Sequence, residues 1–401
     1  CARYFREHEA KDAVFGGQLL AFAGAMFGLV TTDDLMVLYT FWEVTSVLSF
    51  LLIGYSGHRI FARRSAITAL IVTTVGGLAM LAGLIMLAHM AGSWRISGVL
   101  AAAPGLLADD GGRVLLEVAV GLVLIGALTK SAQAPFHFWL PGAMAAPTPV
   151  SAYLHAAAMV KAGVFLVARL APEFHGLAMW QVLVIGVGLW TLLLGGWRAL
   201  RQTDVKLVLA YGTVSQLGFL MVANGLGVRD AALAGLAMLL AHALFKAPLF
   251  MVVGIIDHEA GTRDLRELSG IGRRHPVLAA VAVLAAASMA GLPPLFGFVA
   301  KEAVLQSLTD HGAGHGGLLA WAPLVLMAAG SVLTVAYTWR FLWGAFATKR
   351  TPDGAAVPAT RFHTRVTFLE LAPAALLALT GLVLAVLPGP LERLPVSYTH
   401  L

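Results

Sequence analysis

The sequence predicts an all-α integral membrane fold, a bundle of about eleven transmembrane helices, and three observations lead there. Apolar residues make up 59% of the 401 and charged residues 12%, against about 25% charged in an ordinary soluble domain. Hydrophobic stretches long enough to cross a hydrocarbon core of about 30 Å recur along the whole length. Only short polar segments separate them. The chain therefore reads as a single polytopic membrane domain over 1–401.

In order, the spans fall near 14–30, 33–53, 66–91, 114–139, 149–170, 177–197, 206–224, 231–256, 277–301, 318–346 and 366–388, each bounded by charged or turn-forming residues. An odd count puts the two termini on opposite faces. Sorting lysines and arginines by the side each loop would occupy gives seventeen on the N-terminal side, Lys206 among them, and five on the other: Arg95, Arg113, Arg169, Arg229 and Arg393. By the positive-inside rule the N-terminal end is cytoplasmic, in a cell inner membrane. The net charge of +6 is thus explained by topology, and no nucleic-acid partner is expected.

The only cysteine is Cys1, which excludes an intrachain disulfide, a Cys-rich metal site or an iron–sulfur cluster within this chain. Without a preceding signal segment, Cys1 reads as a chain that begins mid-protein rather than as a lipidated end. After Leu394 the run Pro395 to Leu401 no longer reads as a helix and is not expected to be native membrane sequence.

Two spans carry helix breakers at corresponding places. The fourth reads Lys130-Ser131-Ala132-Gln133-Ala134-Pro135, and the ninth Gly291-Leu292-Pro293-Pro294. Five spans apart, the two run in opposite directions, the mark of inverted five-helix repeats whose broken helices line a transport path. The repeats would cover 14–170 and 177–346, with 366–388 as an additional helix. The plainer alternative is a pair of proline kinks repaired by neighbouring helices.

Five basic side chains reach no loop in this assignment: Lys130, Lys161, Lys246, Lys301 and Arg340. Each costs about 2.5–3.5 kcal/mol at a helix centre, so partners or water must compensate. Glu43 lies among apolar neighbours in the second span and needs a cation. Lys130, at the break, is its expected partner, either as a static clamp or as a movable pair that takes up and releases a proton. His242 and Lys246 stand four apart on one helix face with Pro248 just beyond, suited to passing a proton. His155 and Lys161, six apart, point in different directions and read as successive stations. For any single histidine here, a hydrogen-bonded packing role competes evenly. Lys301-Glu302 reads on position alone equally as a snorkelling helix end. Asp257, His258 and Glu259 sit among Arg263 and Arg266 and read as a solvated loop, so no metal is expected. No phosphate loop, dinucleotide fingerprint or nucleophile elbow is present, no cofactor is expected, and energy would come from an ion gradient or a partner protein.

Three stretches carry a family likeness: Phe41-Trp42-Glu43-Val44-Thr45-Ser46; Lys130 through Pro135-Phe136-His137-Phe138-Trp139-Leu140-Pro141 to Ala145-Ala146-Pro147-Thr148-Pro149, continued by His155 and Lys161; and His242-Ala243-Leu244-Phe245-Lys246. They resemble the antiporter-like subunits shared by Mrp cation/proton antiporters and respiratory complex I. The segment Gly254 to Asp264 resembles the A-subunit branch of the Mrp antiporters. The resemblance sets the chain against the family's fourth to fourteenth helices. It implies Glu43 and Lys130 as the key pair, His155 and Lys161 as connecting stations, and His242, Lys246 and Lys301 as the second half-channel. It further implies a hetero-oligomeric Mrp-type complex with other subunits, exchanging sodium or another monovalent cation for protons. A proton-pumping subunit of complex I or of a membrane-bound hydrogenase is the alternative. One departure is Met238, a turn before His242, where the family often has a second histidine.

Overall fold

The computed structural model describes residues 9–315 and 318–387. Cys1, Arg3, Arg6, Arg393 and the run 395–401 lie outside the described residues. Among those described the protein is helical throughout, its only extended contacts being three isolated bridges.

Thirteen helices carry the architecture: α1 (Glu9–Thr31), α2 (Leu35–Ile53), α3 (Ile60–Ala91), α4 (Ile96–Ala108), α5 (Arg113–Lys130), α6 (Lys161–Phe174), α7 (Val187–Leu200), α8 (Val205–Gly225), α9 (Arg229–Ala260), α10 (Pro276–Ala290), α11 (Phe296–His315), α12 (Ala322–Phe346) and α13 (Phe368–Val386). Nine described helical stretches are long and apolar enough to cross a membrane, and the chain is a multi-pass membrane protein. Two more of the expected spans are the interrupted ones. The fourth is helical only to Lys130 and then passes into short turns. The ninth stops at Ala290, passes through Gly291 in the left-handed conformation, φ +82°, and restarts at Phe296.

Three features differ from expectation. α4 is an extra apolar helix of 13 residues, too short to cross and therefore invisible to a search for full-length spans. α3 begins at Ile60, so Arg63 and Arg64 extend the helix instead of lying in a loop. The fifth span is not one regular helix. Residues Ser151–Ala157 form a π-turn, the backbone breaks at Ala158, and α6 starts at Lys161. No proline or glycine marks that point, so nothing in the local sequence announces it.

The loops meet as alternate crossings require. Arg59, Asp204, Asp257 and Arg263 come together at one end of the bundle. Asp33, Arg95 and Arg169 meet elsewhere, through an ion pair of 3.2 Å between Arg169 and Asp33 and a bridge between Asp34 and Arg95. The helices that face the interior are α5, α6, α8 and α9. α8 is buried along nearly its whole length, while α1, α12 and α13 turn much of their apolar surface outward, toward lipid.

Candidate functional site

The polar groups of the interior begin on α2. Asp34 caps that helix, accepting from the amides of Met36 and Val37, and three turns on Trp42, Thr45 and Ser46 are buried. Into this surface comes Lys130, the last residue of α5, with no exposed area. Its Nζ donates to the Trp42 carbonyl and to Ser46 Oγ, both at 2.7 Å, and lies 5.1 Å from the Trp42 ring. Glu43 is half-buried one residue along. Thr74 Oγ1 donates to its Oε2 at 3.4 Å, while Oε1 is buried without a hydrogen bond. Gly77 makes room for that carboxylate, since a Cβ there would collide with Oε1.

Glu43 and Lys130 thus share one turn of α2 and act on each other electrostatically, but they do not touch. Among the described residues Glu43 is in no ion pair within 4.0 Å. The residue pattern pairs the two without fixing their separation. The lysine instead spends its donors on a carbonyl and a hydroxyl, which such a pattern cannot reveal.

The break after Lys130 is tied to the break before Lys161: Ser131 Oγ donates to the Val160 carbonyl at 2.7 Å. Lys161 is buried and donates to the Leu239 carbonyl of α9 at 3.1 Å. One turn beyond Leu239, His242 is wholly buried and feels the charges of both Lys161 and Lys246. Lys246 is equally buried. It donates to the Leu209 carbonyl of α8 at 3.1 Å and lies 5.8 Å from the Tyr337 ring. His155 sits on the π-turn, edge-on to Trp139 at 6.1 Å, with neither ring nitrogen hydrogen-bonded.

Lys301 stands at the other break. From α11 it reaches back to the carbonyls of Met289 and Ala290, at 3.4 and 3.2 Å, where α10 ends. Only 6% exposed, it is an interior side chain and not a snorkelling end. No direct contact links it to the other lysines among the described residues. Pro135, Pro293 and Pro294 all fall in the two interruptions.

Arg340 requires a correction. It is exposed at the end of α12 and donates to the Gln202 carbonyl from Nη2 at 2.9 Å, so it does not belong to the interior set. Lys206 requires the reverse one. Counted among the loop charges, it is 2% exposed, donates to the Ala146 carbonyl at 2.7 Å and acts electrostatically on His155. The signal was there: Lys206, Thr213 and Gln216 fall on one helical face, seven and ten residues apart. Moving Lys206 inward and Arg340 outward to the same face leaves the asymmetry between the two sides at seventeen against five.

Above Lys206 a polar cavity of about 480 Å³ is lined by Arg59, Asp204, Asp257, Arg263 and Asp264. Arg263 Nε lies 3.2 Å from Asp204 and 4.0 Å from Asp257. Beside it, hydrogen bonds from Arg266 hold the Asp264 carboxyl down to about 2. His258 and Glu259 lie 3.1 Å apart, and Glu259 accepts from the Thr364 amide and hydroxyl. Their work is to tie the segment before α13 to the end of α9.

A membrane bundle with ammonium groups caged in its centre by carbonyls and aromatic rings defines the class: a polytopic protein built around buried cations. Residues 32–330 match the NADH:quinone oxidoreductase/Mrp antiporter transmembrane family, and the chain belongs to it. It is 45% identical over 389 residues, 97% of its length, to a protein of Rhizobium meliloti named as the A/B subunit of a probable K⁺/H⁺ antiporter, covering 38% of that relative. It is 45% identical over 352 residues to the A-subunit of the Na⁺/H⁺ antiporter of Alkalihalophilus pseudofirmus, covering 84% of this chain and 43% of the relative. The chain thus spans about two fifths of the length of the curated relatives it matches. Among solved structures, the Mrp complex of Dietzia sp. DQ12-45-1b superposes with a TM-score of 0.80 at 41% identity, over 92% of this chain and 38% of that one. An archaeal membrane-bound sulfane sulfur reductase shares the fold, with a TM-score of 0.78 at 24% identity over 93% of this chain and 72% of that one.

Proposed function

We propose that the chain is the ion-translocating part of the A-subunit of a hetero-oligomeric Mrp-type antiporter, moving protons against sodium or potassium across a bacterial inner membrane. The observation that carries this reading is the set of ionisable groups spread across the interior from α2 to α9: Lys130, Lys161, His242 and Lys246 buried, with Glu43 half-buried and acting on Lys130. An ammonium held by two acceptors keeps one N–H free. Losing that proton exposes a lone pair without breaking the cage, so Lys130 can exchange a proton and stay in place. Glu43, on the same turn of α2, favours the charged lysine. Drawn away, it favours release. His155 with Lys206, and Lys301, are the further stations.

The two halves carry the same devices, which supports the inverted repeat over 14–170 and 177–346. Asp34 caps α2 and Asp204 caps α8, each accepting from the next two amides along the helix. Each helix start is pinned by a single antiparallel bridge, Asp34 with Arg95 and Asp204 with Asp264. The basic loops around Asp204 support a cytoplasmic side for that end, and with it for the N-terminal end. The relatives above 40% identity are named as antiporter subunits, and the sulfane sulfur reductase is similar in fold alone, which favours antiport over redox-driven pumping.

The test is cation-driven proton flux in vesicles holding the complete complex, with sodium and potassium in turn. Glu43→Gln should lower flux about tenfold, and Glu43→Asp should restore part of it. Undiminished flux in Glu43→Gln would rule out the relay. Flux that needs no cation gradient but requires a redox donor would replace antiport with pumping.

A further inference from the structure

Arg340 is left unexplained by the relay. At the same end of the bundle as Arg263 and Arg266, it stands apart from them in having no carboxylate within 4.0 Å among the described residues. Its Nε and Nη2 both go to the Gln202 carbonyl, at 3.3 and 2.9 Å. A guanidinium has five N–H donors, so most of them stay unspent.

Beside it lies a cavity of about 520 Å³ lined by Arg266, Trp339, Arg340, Trp343 and Lys349. Trp339 and Trp343 are 64% and 58% exposed. Their rings stack at 5.8 Å and 24° on the outer flank of α12, where a protein core would have hidden them. Lys349 donates to the carbonyls of Leu265 and Leu268, which fixes its ammonium at the cavity wall. Arg266 is paired with Asp264 at 2.6 Å. Gly344 lets α12 press against the loop, since a Cβ there would come within 2.8 Å of Leu265. Three cations therefore face two carboxylates, Asp264 and Glu267, both of which act on Arg266, leaving Arg340 without one and the cluster with a net positive charge.

Each part fits one ligand. Tryptophan prefers the headgroup level of a bilayer, where its ring is in the apolar layer and its N–H in water. A guanidinium matches two phosphate oxygens at once. Near a membrane surface each basic side chain contributes about 1 kcal/mol toward anionic lipid. We propose that this cavity seats the phosphodiester headgroup of an anionic phospholipid from the adjoining leaflet, its phosphate on Arg340 and Lys349 and its upper acyl chain along Trp339 and Trp343. The excess positive charge selects against a zwitterionic headgroup.

The test uses the full-length protein in its assembled complex, delipidated in mild detergent and titrated with phosphatidylglycerol or phosphatidylcholine, bound lipid being counted by native mass spectrometry. The expected result is a site that prefers phosphatidylglycerol. Arg340→Gln should weaken it about fivefold, Arg340→Gln with Lys349→Gln further, and Arg340→Lys by an intermediate amount, since it keeps the charge and loses the two-oxygen match. An unchanged preference in the double variant of a complex that remains assembled would overturn the proposal. So would inorganic phosphate binding as tightly as the lipid, which would make this a free-anion site. A photo-crosslinker at Trp343 that captures another polypeptide and no lipid would show the face to be a protein interface instead. The readout is lipid binding, so it stands or falls independently of antiport.

Discussion

The two halves of the bundle hold their central lysines by different means. In the first, Lys130 is gripped by the Trp42 carbonyl and Ser46, with the carboxylate of Glu43 on the same turn of α2. In the second, Lys246 rests on the Leu209 carbonyl and the face of Tyr337, and no carboxylate stands at the matching place on α8. Counting from the two capping aspartates, Glu43 corresponds to Thr213, whose hydroxyl is turned back to the Leu209 carbonyl. One half can therefore modulate its lysine by moving a charge. The other has no such charge beside Lys246; there His242 is the group that feels both Lys161 and Lys246. The asymmetry suits a relay that is driven at one end and responds at the other.

The largest effect should come from removing the ammonium groups themselves. Lys130→Met and Lys246→Met keep the length of the side chain and its burial, and each should lower cation-driven proton flux about a hundredfold in vesicles of the complete complex. If Lys246→Met leaves flux intact, the second half is a scaffold and the comparison is broken. Thr213→Val, by contrast, should change flux by less than about twofold, since its hydroxyl serves only its own helix.

Much of this was legible in the sequence, for reasons that can be named. Spans are legible because backbone in lipid must satisfy its own hydrogen bonds, so length and apolarity suffice to find it. The breaks at Lys130 and Gly291 were legible because proline and glycine mark them. The buried lysines were legible because a charge in an apolar run is costly enough to mean something. What stayed hidden had no such mark. The π-turn at Ser151–Ala157 packs against α9 and carries no proline or glycine of its own. Lys206 and Arg340 were misassigned in opposite directions because both lie near helix ends, where a long side chain can turn inward or outward. Hydropathy fixes the depth of a backbone, not the direction of a lysine. The cage of Lys130 is made of a backbone carbonyl, present at every residue and therefore absent from any motif.

Helix packing gives a second comparison, of intermediate size. Gly83 in the first half brings α3 against α5, where a Cβ would meet the Ala119 carbonyl at 2.5 Å. Gly218 in the second brings α8 against α7, where a Cβ would meet the Gly188 carbonyl and the Leu192 amide at 2.5 Å. Both obstacles are backbone, which cannot give way as a side chain can. Small residues are the means by which membrane helices approach closely. Gly83→Ala and Gly218→Ala should each destabilise by about 1–3 kcal/mol, measured by thermal unfolding in detergent. Gly24, with nothing within 4 Å of its Cβ position, is the control, and Gly24→Ala should be neutral or stabilising by up to about 1 kcal/mol.

The smallest effect separates the two caps. Asp34 and Asp204 do the same work for α2 and α8, so Asp34→Ala and Asp204→Ala should each cost about 1 kcal/mol. Asparagine keeps the capping oxygen and removes the charge. At Asp34 the change to Asn should be neutral, because that carboxylate accepts from the amides of Met36 and Val37 through one oxygen, which asparagine retains. At Asp204 the second oxygen faces Arg263 at 3.2 Å, with side-chain exposures of 24% and 38%. A pair that open to water is worth about 0.2–1 kcal/mol, so Asp204→Asn should cost a few tenths more than Asp34→Asn. Raising the salt concentration should erase that difference. Equal costs at low salt would mean that Arg263 contributes nothing through Asp204 and that the two helix starts are alike in energy as well as in shape.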